Sequence, residues 1–186
     1  MRKLPILIAA ALALPAGAQA QELTRATQKL ELTALAPVAC VISPATVSGA
    51  ANASYSNTGS SSGQVSITQL VDGTTAAPRA SSIELSLPVV CNASHRVELR
   101  SANGGLQRAG ATGRGGAFRE FLAYSVGLDW AGQSVQLDTA NRSANINAAQ
   151  PGKGEMVIRI ATPAGGGPLV AGQYSDSIVV EVQPAN

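Results

Sequence analysis

The sequence predicts an all-β protein, an immunoglobulin-like β-sandwich, and three observations carry that expectation. Apolar residues recur at every second position in several short runs, most regularly Leu122, Tyr124, Val126, Leu128 and Trp130. Turn-forming clusters of Gly, Pro, Asn and Ser separate the runs at the spacing of a two-layer β fold, and no segment holds a 3.6-residue pattern beyond a turn or two. The last run, Gly172 to Val182, sets Tyr174, Asp176, Ile178, Val180 and Val182 on one face and is dense in β-branched residues. Such a strand wants partners on both backbone edges, yet only Gln183 to Asn186 follow it. The sandwich is therefore expected to be incomplete, lacking its final strand, with the spare strand at the other end of the chain.

In chain order, Arg2 and Lys3 precede an apolar run from Leu4 to Leu14, and Ala18-Gln19-Ala20 is a small-x-small cleavage site, so residues 1–20 read as a secretory signal peptide. Residues 21–36 form an N-terminal extension in which Leu30, Leu32 and Ala34 alternate with Lys29, Glu31 and Thr33. Pro37 breaks any ladder there, and residues 37–186 are expected to be the globular domain, opening on a strand through Val38, Cys40 and Ile42.

Ser43 to Gly63 shows no period and reads as loop or irregular edge. Val65 and Ile67, then Ile83, Leu85, Leu87 and Val89, then Val97 and Leu99 read as strands. Pro88 implies an edge or a bulge, because proline cannot donate to a ladder. After the glycine-rich Gly110 to Gly116 and the Leu122 to Trp130 strand come Val135 and Leu137, an Asn/Ala/Ser stretch, and Met156, Ile158 and Ile160. Trp130 does not lie between the two cysteines, which excludes the antibody-type arrangement.

Removal of residues 1–20 takes two of the 13 basic residues and none of the 11 acidic ones, so the mature chain is formally neutral and carries no charge argument for a nucleic-acid partner. No later stretch is long enough to insert in a membrane. Two cysteines in an exported chain, Cys40 and Cys91, most simply form one disulfide. His95 is the lone histidine and reads as a solvated or turn-capping residue, and no metal-ligand set or cofactor loop is present. Gly110 to Gly116 lacks the Lys-Ser/Thr of a phosphate loop. Asp129, Asp138 and Asp176 have no pairing evident from sequence. Asn52, Asn92 and Asn141 head Asn-x-Ser triplets of the kind chance supplies. Recognition through backbone and apolar surface remains, and an enzyme is not expected.

Val90-Cys91-Asn92 closing a strand, Leu122-Ala-Tyr-Ser-Val in mid-chain, and Gly172-Gln-Tyr-Ser-Asp-Ser-Ile-Val-Val-Glu-Val near the end resemble the spore coat protein U domain family, which includes the Csu-type, or archaic, chaperone–usher pilins. The resemblance implies a pilin-like sandwich lacking its final strand, with Cys40 and Cys91 as the pilin disulfide. It implies an acceptor groove edged by Tyr174, Ile178, Val180 and Val182, and a donor strand whose plugs are Leu30, Leu32 and Ala34. The partners it implies are neighbouring pilin subunits joined head-to-tail, a periplasmic chaperone and an outer-membrane usher, with export through the periplasm to a cell-surface or extracellular fibre serving adhesion or biofilm formation. A coat protein of the same family, or a periplasmic binding module closed by its own arm, are the alternatives.

Overall fold

A computed structural model of the chain describes residues 26–113 and 116–185. The expected signal peptide lies outside the described residues, as do the first five residues of the extension. The chain divides into two units, Met1–Leu35 and Ala36–Asn186. In the first, Ala26 to Leu35 are exposed and carry no strand. Leu30 is 85% and Leu32 99% accessible, and Lys29 pairs with Glu31 at 2.7 Å. The alternation expected of a strand is present there, but the strand itself is not, because no backbone partner supplies a ladder.

The second unit is built from short antiparallel strands: β1 (Cys40–Ile42), β2 (Thr46–Ala51), β3 (Ala53–Gly59), β4 (Ser62–Ile67), β5 (Ser81–Cys91), β6 (His95–Ser101) and β7 (Leu106–Arg108). They continue as β8 (Phe121–Leu122), β9 (Ser125–Trp130), β10 (Gln133–Asp138), β11 (Ser143–Ala148), β12 (Gly152–Thr162), β13 (Tyr174–Ser175) and β14 (Ile178–Pro184). The larger sheet runs β1-β5-β12-β9-β10, with β2 also on β5, and the facing sheet runs β11-β6-β14. β13, β7 and β8 make a small sheet, and β3 and β4 pair with each other. The architecture is the all-β sandwich that the period-2 runs predict.

The core lies between the two main sheets. Ile83, Leu85 and Val89 of β5, Val97 and Leu99 of β6, Val126, Leu128 and Trp130 of β9, and Met156 and Ile158 of β12 are all buried. Their alternation with exposed or half-buried neighbours satisfies the pleat, so each strand's apolar side meets its counterpart across the sandwich. A disulfide joins Cys40 to Cys91, which are register partners on β1 and β5.

Several sequence expectations are corrected. The runs Leu122 to Trp130 and Gly172 to Val182, each expected as a single strand, are each divided between two sheets, as β8 and β9 and as β13 and β14, with residues 123–124 and 176–177 outside any strand. Ser43 to Gly63 is not irregular: it holds β2, β3 and the start of β4. Small polar residues there leave almost every position exposed, so no apolar period could announce the strands. The Asn/Ala/Ser stretch contains β11, which contributes Ile146 to the core. Of the edge or bulge expected at Pro88, the edge is absent, since β5 is flanked by β12 on one side and by β1 and β2 on the other, but the bulge is present: between the β1 and β2 registers Ser43 to Ala45 stand opposite only Leu87 and Pro88. The Pro88 carbonyl accepts from the Ser43 N–H at 2.8 Å, while the donor that proline lacks would have faced Ser43. Proline thus sits where the chain leaves β5 after β1 and rejoins it at β2, and the missing bond falls in that gap.

Candidate functional site

Each main sheet ends in an incompletely paired strand on the same side of the sandwich. On the facing sheet that strand is β14, which pairs only with β6 among the described residues. The bonds Ala102 N–H to Ser177 O (2.9 Å) and Ala185 N–H to Ser94 O (2.8 Å) fix the phase of the ladder. Val179, Glu181 and Gln183 therefore spend their peptide groups on β6, whereas Ile178, Val180 and Val182 turn theirs to the open edge. The side chains of Ile178, Val180 and Val182 also pack against the core. On the larger sheet, Asn92 N–H to Ala39 O and Ser43 N–H to Pro88 O set the phase of β1, so Cys40 and Ile42 present their backbone away from β5.

Between these edges lies a groove of about 520 Å³. Its floor is the core itself, through Ile83, Leu85, Tyr124 and Ile158, and one wall is Ile178 and Val180. Toward β1 the groove narrows as β1 and β14 approach each other. The β3–β4 hairpin makes the remaining wall, with Ala53, Tyr55, Val65 and Ile67 half-buried and facing in. Gly63 leaves room for the Tyr55 ring, which a Cβ at that position would push aside. Val65 and Ile67 mark β4 in the sequence, but nothing marks its partner β3, whose inward positions are only Ala53 and Tyr55.

Tyr174 and Asp176 stand at the far end of the groove as the Gly172-x-Tyr174-x-Asp176 motif, and both are structural ties. Asp176 accepts from the Ser101 hydroxyl (2.5 Å), the Tyr124 hydroxyl (2.9 Å), and the N–H groups of Asn103 (2.9 Å) and Ser177 (2.8 Å). Burial, with the Asp176 charge adding to it, pushes the Tyr124 hydroxyl above the usual phenol range, so it stays a proton donor. The Tyr174 hydroxyl lies 2.8 Å from the Val170 carbonyl and 3.0 Å from that of Arg119. Gly172, at φ 148°, is in a left-handed conformation against the Arg108 side chain. Of the four expected edge residues, Tyr174, Ile178 and Val180 line the groove, and Val182 continues the same edge where it narrows. Leu30, Leu32 and Ala34 lie in the other unit.

The remaining candidates resolve into structural roles. His95 is not solvated but 1% exposed: Nδ1 lies 2.9 Å from the Ala93 carbonyl, and Nε2 accepts from the Trp130 indole N–H at 2.7 Å. A carbonyl can only accept, so the imidazole is neutral with its proton on Nδ1. Asp129 pairs with Arg159, which also holds Glu84 at 2.7 Å, and Asp138 caps a short 3₁₀ turn through the Ala140 N–H. Glu120 pairs with Arg108 and accepts from the Thr112 and Gly113 N–H groups. Those bonds, the Arg108 guanidinium first, hold its carboxyl down at about 2.

Among the described residues Asp176 is the only charged one lining the groove, and its oxygens are already engaged. The rest of the lining is apolar on the floor and on the β14 wall, and neutral polar at the ends formed by residues 60–64 and 173–177. No helix among the described residues is long and apolar enough to cross a membrane.

No family model and no curated protein matches the chain. Among solved structures it is similar to a chain from a chaperone–tip adhesin complex described as vital for synergistic activation of CFA/I fimbriae biogenesis, with a TM-score of 0.36 and 17% identity. That similarity covers 62% of this chain and 37% of the other, so this chain matches little more than a third of the length of that one.

Proposed function

We propose that this chain is a structural subunit of a surface fibre assembled by donor-strand complementation. The observation that carries the reading is the edge of β14: Ile178, Val180 and Val182 direct side chains into the core and peptide groups out of an unpaired edge. A strand laid there would satisfy both, and the arm of a second copy has the required alternation, with Leu30 and Leu32 standing almost fully in solvent. Burying the two leucines would contribute about 3–6 kcal/mol at roughly 1.5–3 kcal/mol each. Donor and acceptor surfaces differ, so the contact is head-to-tail and grows an open filament.

In this reading residues 1–20 export the chain, residues 21–36 are the donor and residues 37–186 the acceptor domain. A periplasmic chaperone would cover the groove before an outer-membrane usher passes the subunit to the surface, and the chain performs no catalysis. The test compares the mature chain with one lacking residues 21–36. The mature chain should form concentration-dependent multimers, and the shortened chain should stay monomeric and bind a synthetic peptide spanning residues 26–36. Multimers that persist unchanged after the deletion would refute the proposal.

A further inference from the structure

A groove that accepts a strand invites the chain's own arm, which leaves the domain beside it at β1. The structure holds that exit with one side chain. Asn92 donates its backbone N–H to Ala39 O at 3.0 Å, accepts the Ala39 N–H on Oδ1 at 2.8 Å, and donates Nδ2 to the Pro37 carbonyl at 2.8 Å. Pro37 to Ala39 are exposed, so these bonds rather than packing fix the segment as a continuation of β1 past the Cys40–Cys91 pair. Any reversal that returned the arm to its own groove must then occur before Pro37.

Register makes such a reversal unproductive. In an antiparallel pair, opposed residues point to the same face. On β1 the inward positions are Cys40 and Ile42, while Val41 is 59% exposed. A two-residue turn at Leu35-Ala36 would pair Leu32 with Ala39 and Leu30 with Val41, sending both leucines to solvent and Lys29 and Glu31 inward. A four-residue turn has the same parity. A three-residue turn, Ala34-Leu35-Ala36, restores the inward face but calls for a left-handed residue, usually glycine, and Ala36 is further restricted by preceding a proline. A five-residue turn uses up Leu32.

We propose that Asn92 is a positioning residue that, with the parity of the Leu30–Pro37 spacing, keeps the arm out of its own groove and reserves that groove for a second copy of the chain. This rests on the groove being a strand acceptor. Asn92 thus has a use beyond its place in an Asn-x-Ser triplet, since its amide nitrogen is committed to Pro37.

The test uses the full mature chain. One variant carries Ala36→Asn with a glycine inserted between positions 36 and 37, giving an Asn-Gly two-residue turn and pairing Leu32 with Cys40 and Leu30 with Ile42. A tethered arm competes at an effective concentration on the order of millimolar, so at micromolar protein the multimers should fall by about tenfold or more. The urea midpoint of the monomer should rise, and removal of residues 21–36 should cancel the rise. Asn92→Ala should shift the full chain in the same direction, while in the arm-deleted chain it should give no rise in midpoint. The inference is overturned if the Asn-Gly variant multimerises like the parent, or if Asn92→Ala moves the midpoint equally with and without the arm. A parent chain that never multimerises removes the acceptor reading itself, and that result is distinct from either.

Discussion

Proline placed at two adjacent positions of β14 separates its bonded edge from its open one. Val179 faces Arg100 in a hydrogen-bonded pair, so Val179→Pro deletes a bond to β6 and leaves the Arg100 carbonyl without its donor. That should destabilise the domain by about 1–3 kcal/mol, a large share of a total that is typically about 5–15 kcal/mol. Val180 opposes Leu99 in the alternate kind of pair, and its N–H points to the groove. Val180→Pro removes no intrachain bond, and both substitutions restrict the preceding residue alike, so their difference isolates the edge. For an added strand the order reverses. Val180→Pro deletes a bond worth about 0.5–1.5 kcal/mol, weakening binding up to about tenfold before any clash with the ring. Thermal unfolding of the arm-deleted chain measures the first effect, and titration with the 26–36 peptide measures the second. If Val180→Pro unfolded the domain as readily as Val179→Pro, or left peptide affinity untouched, the β14 edge would not be the acceptor.

Leu32→Ser should weaken multimers by about 10- to 100-fold in sedimentation, from roughly 1.5–3 kcal/mol of lost burial, without moving the domain's melting temperature. Reducing the Cys40–Cys91 bond, which spans 51 residues, should cost about 4 kcal/mol, visible as a lower urea midpoint in dithiothreitol. Trp130→Phe leaves the buried His95 Nε2 without its donor and should lower stability by about 1–3 kcal/mol in the same titration. Glu120 has a carboxyl pKa lowered from 4.5 to about 2 in the folded chain, so its contribution is complete above the unfolded value and is lost as pH falls through the folded one. The melting temperature should fall between those pH values, and it should fall less in Glu120→Gln.

Strands that bury one apolar face were legible from sequence. Ile83 to Val89, Val126 to Trp130 and Ile178 to Val182 alternate because every second side chain enters the core, whereas the break between Leu122 and Ser125 was hidden because burial keeps alternating across it. β2, β3 and the start of β4 were not legible, since their residues are small, polar and mostly exposed, and backbone pairing defines them; only Val65 and Ile67 announced the end of β4. The groove was legible only on its β14 side. Its other wall depends on Tyr55 folding over Gly63, a contact between positions too sparse in apolar neighbours to signal a strand. His95 was misread for a related reason: the turn residues around it are polar, and the indole that buries it comes from a strand 35 residues away.

Pro184 limits the length of any strand added to β14. It opposes His95 on the same alternate phase as Ile178, Val180 and Val182, so it occupies the next open-edge position and has no N–H to offer. Within β14 the exposed edge therefore presents three outward donors, at 178, 180 and 182, before the gap at Pro184. That truncation blunts a sheet edge which, if longer, would pair with other strands indiscriminately. An occupant needs three apolar residues at alternate positions to match it, and Leu30, Leu32 and Ala34 supply three. Pro184→Val should add a fourth donor and extend the ladder. If three residues set the register, this change should strengthen peptide binding by no more than a single hydrogen bond, about 0.5–1.5 kcal/mol, and increase pairing with unrelated strands. A gain confined to the 26–36 peptide would argue instead that the arm reaches past Val182 and that the register lies further along β14.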